Sequence, residues 1–86
     1  MITKEITINI SDGLHARPAA EFIQNIKSFN SEIQIDNGKK RIDAKSILNL
    51  MSVVLKKGDI ITVTVQGEDE KKAMDFIEQF LQFETR

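Results

Sequence analysis

The sequence predicts an α+β fold in which a four-stranded antiparallel sheet carries three helices packed on one face. Four segments alternate apolar and polar residues, as strands with one buried face do, and three segments repeat apolar residues at helical spacing. Their order along the chain is βαββαβα, which predicts an open-faced sandwich. At 86 residues the chain is long enough for one hydrophobic core, so we expect a single domain over residues 1–86.

The four predicted strands share this alternation, and they cover residues 2–10, 31–36, 39–43 and 60–66. In the last strand Ile61, Val63 and Val65 face one way, and the threonines between them face the other. Between the second and third strands, Asn37-Gly38 is the pair typical of a two-residue hairpin turn.

The three predicted helices differ in how their apolar residues are distributed. The first covers residues 16–29 and has one apolar face. The second, from residue 46 to about residue 54, holds more apolar residues than one face can bury, so it is either deeply buried or partly exposed as a contact surface. The third follows Gly67, opens with the acidic residues 68–70, and has an apolar face made of Ala73, Phe76, Ile77, Phe80 and Leu81.

Composition excludes several classes of function. The net charge of −1 argues against nucleic-acid binding by bulk electrostatics. No apolar run approaches the ~20 residues that a membrane-spanning helix needs. The chain has no cysteine and one histidine, so we expect no metal site and no cofactor. The simplest expectation is a cytoplasmic protein.

The single histidine, His15, lies where a phosphoryl group could be accepted. A turn pair at positions 12–13 precedes it, and Pro18 falls in the opening turn of the first predicted helix, where a missing N–H costs nothing. The amides of Ala16 and Arg17 would then be unpaired donors at the positive end of the helix dipole. This end disfavours an imidazolium, which keeps the histidine neutral and nucleophilic. The plainer alternatives are that His15 and Arg17 are solvated surface residues.

Two motifs resemble one family. Gly13-Leu14-His15, followed by Arg17-Pro18-Ala19, is similar to the active-site signature of HPr, the histidine-containing phosphocarrier family of the bacterial sugar phosphotransferase system. The segment 44–52 is similar to the regulatory serine segment of Gram-positive members, with Ser46 as the serine. The resemblance covers the whole chain, and it implies the same open-faced sandwich.

The resemblance also implies a function and a set of partners. His15 would take a phosphoryl group on Nδ1 from phosphorylated Enzyme I and pass it to the IIA domains of sugar permeases. The chain would be a monomeric carrier, not an enzyme, with Arg17 contacting the phosphoryl group. Ser46 would be phosphorylated by HPr kinase/phosphorylase, which would connect the chain to a catabolite-control repressor. The exposed residues that dock partners would be Ala20, Ile47, Leu48 and Met51.

Other interpretations stay open at this point. Ser46 could serve only as the N-cap of its helix. Asn49 stands where Gram-positive members usually carry glycine, and Val54 is larger than the residue often found there, which bears on recognition by the kinase. The chain could be a regulatory paralogue that acts in carbon catabolite repression through phosphorylated Ser46, although such paralogues lack the active histidine. It could also be an interaction module without phosphate chemistry.

Overall fold

A computed structural model describes residues 1–9, 16–53 and 55–82, and within the helices it leaves out the side chains of residues 16–19, 47 and 51. Over these residues the elements follow the predicted βαββαβα order. Their bounds are β1 Ile2–Thr7, α1 Ala16–Ile26, β2 Glu32–Asp36, β3 Arg41–Asp43, α2 Ile47–Met51, β4 Ile60–Gln66 and α3 Glu70–Gln82. The predicted α+β class is confirmed.

The sheet has the strand order β1-β4-β2-β3, and every neighbouring pair is antiparallel. β4 therefore lies in the middle, paired with β1 through Ile6↔Ile61 and with β2 through Ile33↔Val65. Its residues Ile61, Val63 and Val65 are buried, whereas the threonines between them are half-buried. The strand with the clearest alternation in the sequence is thus the centre of the sheet.

One face of the sheet is covered and the other is polar. α3 packs against β1 and β4, α2 packs against β3, and α1 packs against both other helices. On the uncovered face the hydroxyls of Thr3 and Thr64 lie 3.4 Å apart across the β1–β4 pair. The core between sheet and helices is made mostly of isoleucine, valine and leucine, including Ile6, Ile8, Ile26, Ile33, Ile35, Leu50, Val63, Ile77 and Leu81. This is the predicted open-faced arrangement.

Aromatic packing joins α1 to α3. The ring of Phe22 is fully buried, with its centroid 5.2 Å from that of Phe80 and 6.3 Å from that of Phe76. Both α3 rings are half-buried at the edge of the core. In the described part of the chain, no helix is long and apolar enough to cross a membrane.

The first strand and the first helix end earlier than the sequence predicts. The first strand was expected to reach residue 10, but β1 ends at Thr7, because the next two amides bind carbonyls outside the ladder: that of Ile8 binds Asp59, and that of Asn9 binds Leu81. The first helix was expected to reach residue 29, but α1 ends at Ile26. Beyond it the amide of Lys27 still binds the carbonyl of Ile23, but the amides of Ser28 and Phe29 make i→i−3 bonds, so the chain tightens into a turn.

The hairpin between β2 and β3 is longer than the predicted two-residue turn. The ladder ends at Asp36↔Arg41, which leaves four residues in the loop and starts β3 two residues later than expected. Side chains satisfy three of the four loop amides: Asp36 Oδ1 accepts from Gly38 N, and Asn37 Oδ1 accepts from the amides of Lys39 and Lys40. The amide of Asn37 donates to the carbonyl of Lys40. These side-chain hydrogen bonds take the place of ladder bonds, as is common for Asp and Asn in turns.

The start of α3 is fastened to the start of β2. The Asp69 carboxylate accepts hydrogen bonds from the amides of Asn30 and Ser31 at 2.8 and 3.0 Å, and from Ser31 Oγ at 2.5 Å. These bonds, led by that of the Ser31 hydroxyl, lower the pKa of Asp69. A Cβ on Gly67 would lie 2.6 Å from Ser31 Cα, so glycine is needed for this close approach. The sequence alone predicts a helix-start charge at Asp69 and does not predict these contacts.

Candidate functional site

The predicted nucleophile stands immediately before a helix in the sequence. α1 begins at Ala16, as expected, and its first turn carries no acidic residue that would oppose an anion. The first amides of any α-helix have no intrahelical partner, and in α1 these include the amides of Ala16 and Arg17. His15 itself lies outside the described residues, as do the side chains of Arg17 and Pro18. Their predicted roles therefore remain predictions.

Ser46 is the N-cap of α2. Its backbone is extended, with φ −97° and ψ 115°, and its hydroxyl oxygen accepts a hydrogen bond from the amide of Asn49 at 3.3 Å. The carbonyl of Ser46 accepts from Leu50 N at 2.9 Å, which is the first helical bond of α2. The side chain is half-buried. The N-cap role predicted as the alternative for Ser46 is thus present, and its phosphorylation stays a prediction.

α2 is shorter than predicted. It covers Ile47–Met51, and Ser52 ends it by donating both its amide and its hydroxyl to the carbonyl of Asn49, at 3.1 and 2.6 Å. The i→i−3 geometry of the amide bond stops the helix after little more than one turn. Val53 follows as a buried residue outside the helix, and Val54 lies outside the described residues.

The apolar residues of α2 divide between the core and the surface. Leu50 is 1% exposed and lies in the core, whereas Leu48 is 81% exposed. Ala20 is also exposed, on α1, which packs against α2. The side chains of Ile47 and Met51, the other two residues expected to dock partners, are not described. The exposed leucine fits the predicted contact surface, and partner docking itself stays a prediction.

Two lysines make tertiary hydrogen bonds near the ends of α2. The ammonium of Lys45, the residue before the N-cap, donates to the carbonyl of Phe29 at 2.6 Å. That of Lys40 donates to Ser52 Oγ at 3.1 Å, next to the end of the helix. Sequence reasoning missed both contacts, because nothing in the spacing of a lysine tells which distant carbonyl or hydroxyl it will reach.

Comparison with known proteins identifies one family. Residues 2–82 match the family described as "PTS HPr component phosphorylation site". The phosphocarrier protein HPr of Haemophilus influenzae is 42% identical over 77 residues, which are 90% of this chain and 91% of that protein. The HPr-like protein Crh of Halalkalibacterium halodurans is 40% identical over 84 residues, which are 98% of this chain and all of that protein.

Solved structures agree with the sequence comparison. The crystal structure of a phosphocarrier protein HPr from Bacillus anthracis superposes with a TM-score of 0.91 at 34% identity, covering 94% of this chain and 96% of that one. The similarity therefore extends over the sheet and the helices that carry the candidate site, and not only over the short motifs.

Proposed function

The chain belongs to the HPr family of phosphocarrier proteins, and on that premise we propose that His15 accepts a phosphoryl group from phosphorylated Enzyme I and passes it to the IIA domains of sugar permeases. The observation that carries this proposal is the position of Gly13-Leu14-His15 directly before a helix that begins at Ala16. Arg17 and Pro18 lie in the first turn of that helix. A nucleophile at that place stands next to unpaired amides and to the positive end of the helix dipole.

The step is a transfer between two imidazoles. Nδ1 of neutral His15 attacks phosphorus, a new N–P bond forms, and the N–P bond to the donor imidazole breaks with its electron pair on the departing nitrogen. The reverse step has the same chemistry, so transfer is close to thermoneutral and the carrier can give up the group to the next imidazole. Neutral histidine is required, because the imidazolium has no free electron pair with which to attack.

Three residues next to His15 support the phosphoryl transfer. Arg17 contacts the bound phosphoryl group or an acidic surface of the partner through its guanidinium. The amides of Ala16 and Arg17 add donors from the helix start, and Pro18 fixes that start without losing a helical hydrogen bond.

The residues that dock partners are Ala20, Ile47, Leu48 and Met51, on α1 and α2.

We propose that the chain acts as a carrier and not as a catalyst. The chain takes up and gives up one phosphoryl group, while partner proteins supply turnover, so we assign no enzymatic activity and no cofactor to it. We place it in the cytoplasm, as one domain over residues 1–86. Nucleic acid and membrane are not among its proposed partners.

Ser46 is proposed as a regulatory site in the same protein. Its hydroxyl is an N-cap that receives one long hydrogen bond of 3.3 Å, and an N-cap phosphate would meet the positive end of a helix. Phosphorylation by HPr kinase/phosphorylase would add nearly two negative charges next to the proposed docking residues. The modified form would be the one that a catabolite-control repressor recognises.

A second candidate function is that of a regulatory paralogue. The similarity to a Crh protein over almost the whole chain favours it. The histidine of the signature argues against it, since the resemblance implies that such paralogues lack an active histidine. The two candidates differ in one observable property, which is whether the chain gains phosphate from Enzyme I.

We propose that the carrier acts as a monomer. Similar structures include dimers of Crh from Bacillus subtilis and of HPr from Thermoanaerobacter tengcongensis. Light scattering at the concentrations used for phosphotransfer distinguishes the two states. A dimer at those concentrations would contradict this part of the proposal.

The proposal is tested with purified Enzyme I and phosphoenolpyruvate. The parent protein gains a phosphoryl group that is stable in alkali and labile in acid, as an N–P bond is, and His15→Ala gains none. A Ser46→Ala variant is the matched control, because it removes the other proposed phosphorylation site and should gain the group like the parent. Phosphate on His15→Ala would contradict the assignment of the nucleophile.

A further inference from the structure

Lys45 makes a contact that the proposed chemistry does not use. Its half-buried side chain reaches from the turn before α2 to the end of the turn after α1, where the ammonium donates to the carbonyl of Phe29 at 2.6 Å. We propose that Lys45 is a positioning residue: its contact fixes α2 relative to the C-terminal end of α1, and partner docking depends on that arrangement. The inference rests on the proposed function, because α1 and α2 carry the residues assigned to docking.

The acceptor side of this contact is held in place. The two residues after Phe29 donate their amides to the Asp69 carboxylate, at 2.8 Å from Asn30 and 3.0 Å from Ser31. The amide of Phe29 itself donates to Ile26 at the end of α1, at 3.1 Å. Hydrogen bonds therefore hold the backbone in place on both sides of the Phe29 carbonyl.

The donor side is held as well. The amide of Lys45 donates to Asp43 Oδ1 at 3.0 Å, and the amide of Ser46 donates to the Asp43 carbonyl at the same distance. The preceding amide, that of Ala44, donates to Ile33 in β2 at 3.0 Å. The backbone of Lys45 is thus fixed to the sheet. The hydrogen bond from its ammonium can therefore constrain the position of α2 and not only place a charge there.

α2 needs such support because of its length. A helix of five residues has too few internal hydrogen bonds to hold its own orientation, since isolated helices shorter than ~12 residues are marginal in water. Among the α2 side chains that the structure describes, that of Leu50 anchors the helix in the core. Two further contacts, those of Lys45 and Lys40, lie at its ends. Of these, the Lys45 contact is the one that joins the start of α2 to α1.

The main test compares Lys45→Met with the parent in phosphotransfer from Enzyme I. Methionine keeps the length and apolar character of the side chain and removes the donors. We expect KM for the carrier to rise about 3- to 10-fold, equivalent to about 0.7–1.4 kcal/mol of docking energy, with kcat within twofold. Lys71→Met is the matched control, since it removes the same charge from an exposed position on α3 and should leave KM unchanged.

Ionic strength separates positioning from direct attraction to the partner. A lysine that pairs with an acidic partner contributes to the salt dependence of association, so its loss flattens the dependence of KM on salt. A lysine committed to a backbone carbonyl keeps its charge but contributes only as a general charge does, so its loss should change the salt dependence no more than Lys71→Met does. A salt profile of Lys45→Met that parallels that of Lys71→Met supports the inference, and a flatter profile than that of Lys71→Met overturns it.

A second measurement does not require Enzyme I. The chain has no cysteine, so spin labels at Gln24→Cys on α1 and Leu48→Cys on α2 report one distance, measured with and without the Lys45→Met substitution. We expect a shifted or broadened distribution in Lys45→Met. An unchanged distribution overturns the inference whatever the kinetics show. If the parent gains no phosphate from Enzyme I, the proposed function fails, while this distance still decides whether Lys45 positions α2.

Discussion

Leu48 and Leu50 provide a sharp test of the proposed docking surface, because they are two residues apart in the same short helix. Leu50 is 1% exposed and Leu48 is 81% exposed. Changing each to alanine removes the same atoms from the same helix. Each substitution is therefore the control for the other, and any difference between them arises from where the side chain lies.

The expected stability changes follow from burial. Leu50→Ala removes a core side chain and should lower the free energy of unfolding by about 2–5 kcal/mol. Leu48 buries only about a fifth of its surface; full burial of a leucine is worth about 1.5–3 kcal/mol, so its loss should cost about 0.3–0.6 kcal/mol. The slightly better helix propensity of alanine offsets part of that cost.

Urea denaturation and thermal melting measure both changes. In a chain of this size about 1 kcal/mol corresponds to roughly 4–8 °C in Tm, so Leu50→Ala should melt at least about 8 °C lower. Leu48→Ala should melt within about 3 °C of the parent.

For docking to Enzyme I we expect Leu48→Ala, and not Leu50→Ala, to have the larger effect. Leu48→Ala should raise KM for phosphotransfer from Enzyme I by about fivefold, which is the loss of about 1 kcal/mol from a contact at an interface. The reasoning is refuted if Leu48→Ala destabilises the protein by about 2 kcal/mol or more, on the same scale as a core leucine, because that residue would then be buried. It is also refuted if KM does not change while the protein stays folded.

Four further substitutions test separate parts of the structure. Gly67→Ala should lower the free energy of unfolding in urea by about 1–3 kcal/mol, because its Cβ would lie 2.6 Å from the backbone of Ser31. The pKa of Asp69 is lowered in the folded state, chiefly by the hydroxyl of Ser31, so its ionised form stabilises the fold above the unfolded-state pKa and that contribution is lost as pH falls below about 4. Asp69→Asn should therefore be less stable than the parent at pH 7, and the difference should shrink in acid-denaturation measurements. Arg17→Ala should slow phosphotransfer by about 10-fold or more at unchanged Tm, since a charge-assisted contact contributes about 1.5–3 kcal/mol, and unchanged kinetics at limiting Enzyme I would exclude this role. Ser46→Asp should slow phosphotransfer while the circular dichroism stays that of the parent, and equal rates for parent, Ser46→Asp and enzymatically phosphorylated protein would contradict regulation at this site.

The sequence predicts the order of the elements and much of the core because burial leaves a periodic signal. The alternation of Ile61, Val63 and Val65 identifies the central strand with its correct bounds. The helical spacing of Ala73, Ile77 and Leu81 identifies the buried face of α3, although Met74, also buried there, escaped that pattern. The excess of apolar residues in the α2 segment predicted either a deeply buried helix or a partly exposed contact surface, and the exposure of Leu48 favours the second.

Where elements end is decided by hydrogen bonds that have no period. Side chains of Asp36 and Asn37 bind the loop amides and lengthen the hairpin, and Ser52 ends α2 by bonding to the carbonyl of Asn49. The contact from Lys45 to the carbonyl of Phe29 joins residues 16 positions apart, and it depends on how two helices pack. Such contacts follow from the tertiary structure, so composition and spacing could not predict them.

The central claim is that this chain relays a phosphoryl group through His15. The most direct measurement begins with the protein phosphorylated by Enzyme I and phosphoenolpyruvate, then freed of both and mixed with an isolated IIA domain. The account predicts that peptide mapping in alkali finds the phosphoryl group on His15 before mixing, and on the IIA domain afterwards. Phosphate that is found on another residue, or that stays on this chain in the presence of a competent IIA domain, would contradict it.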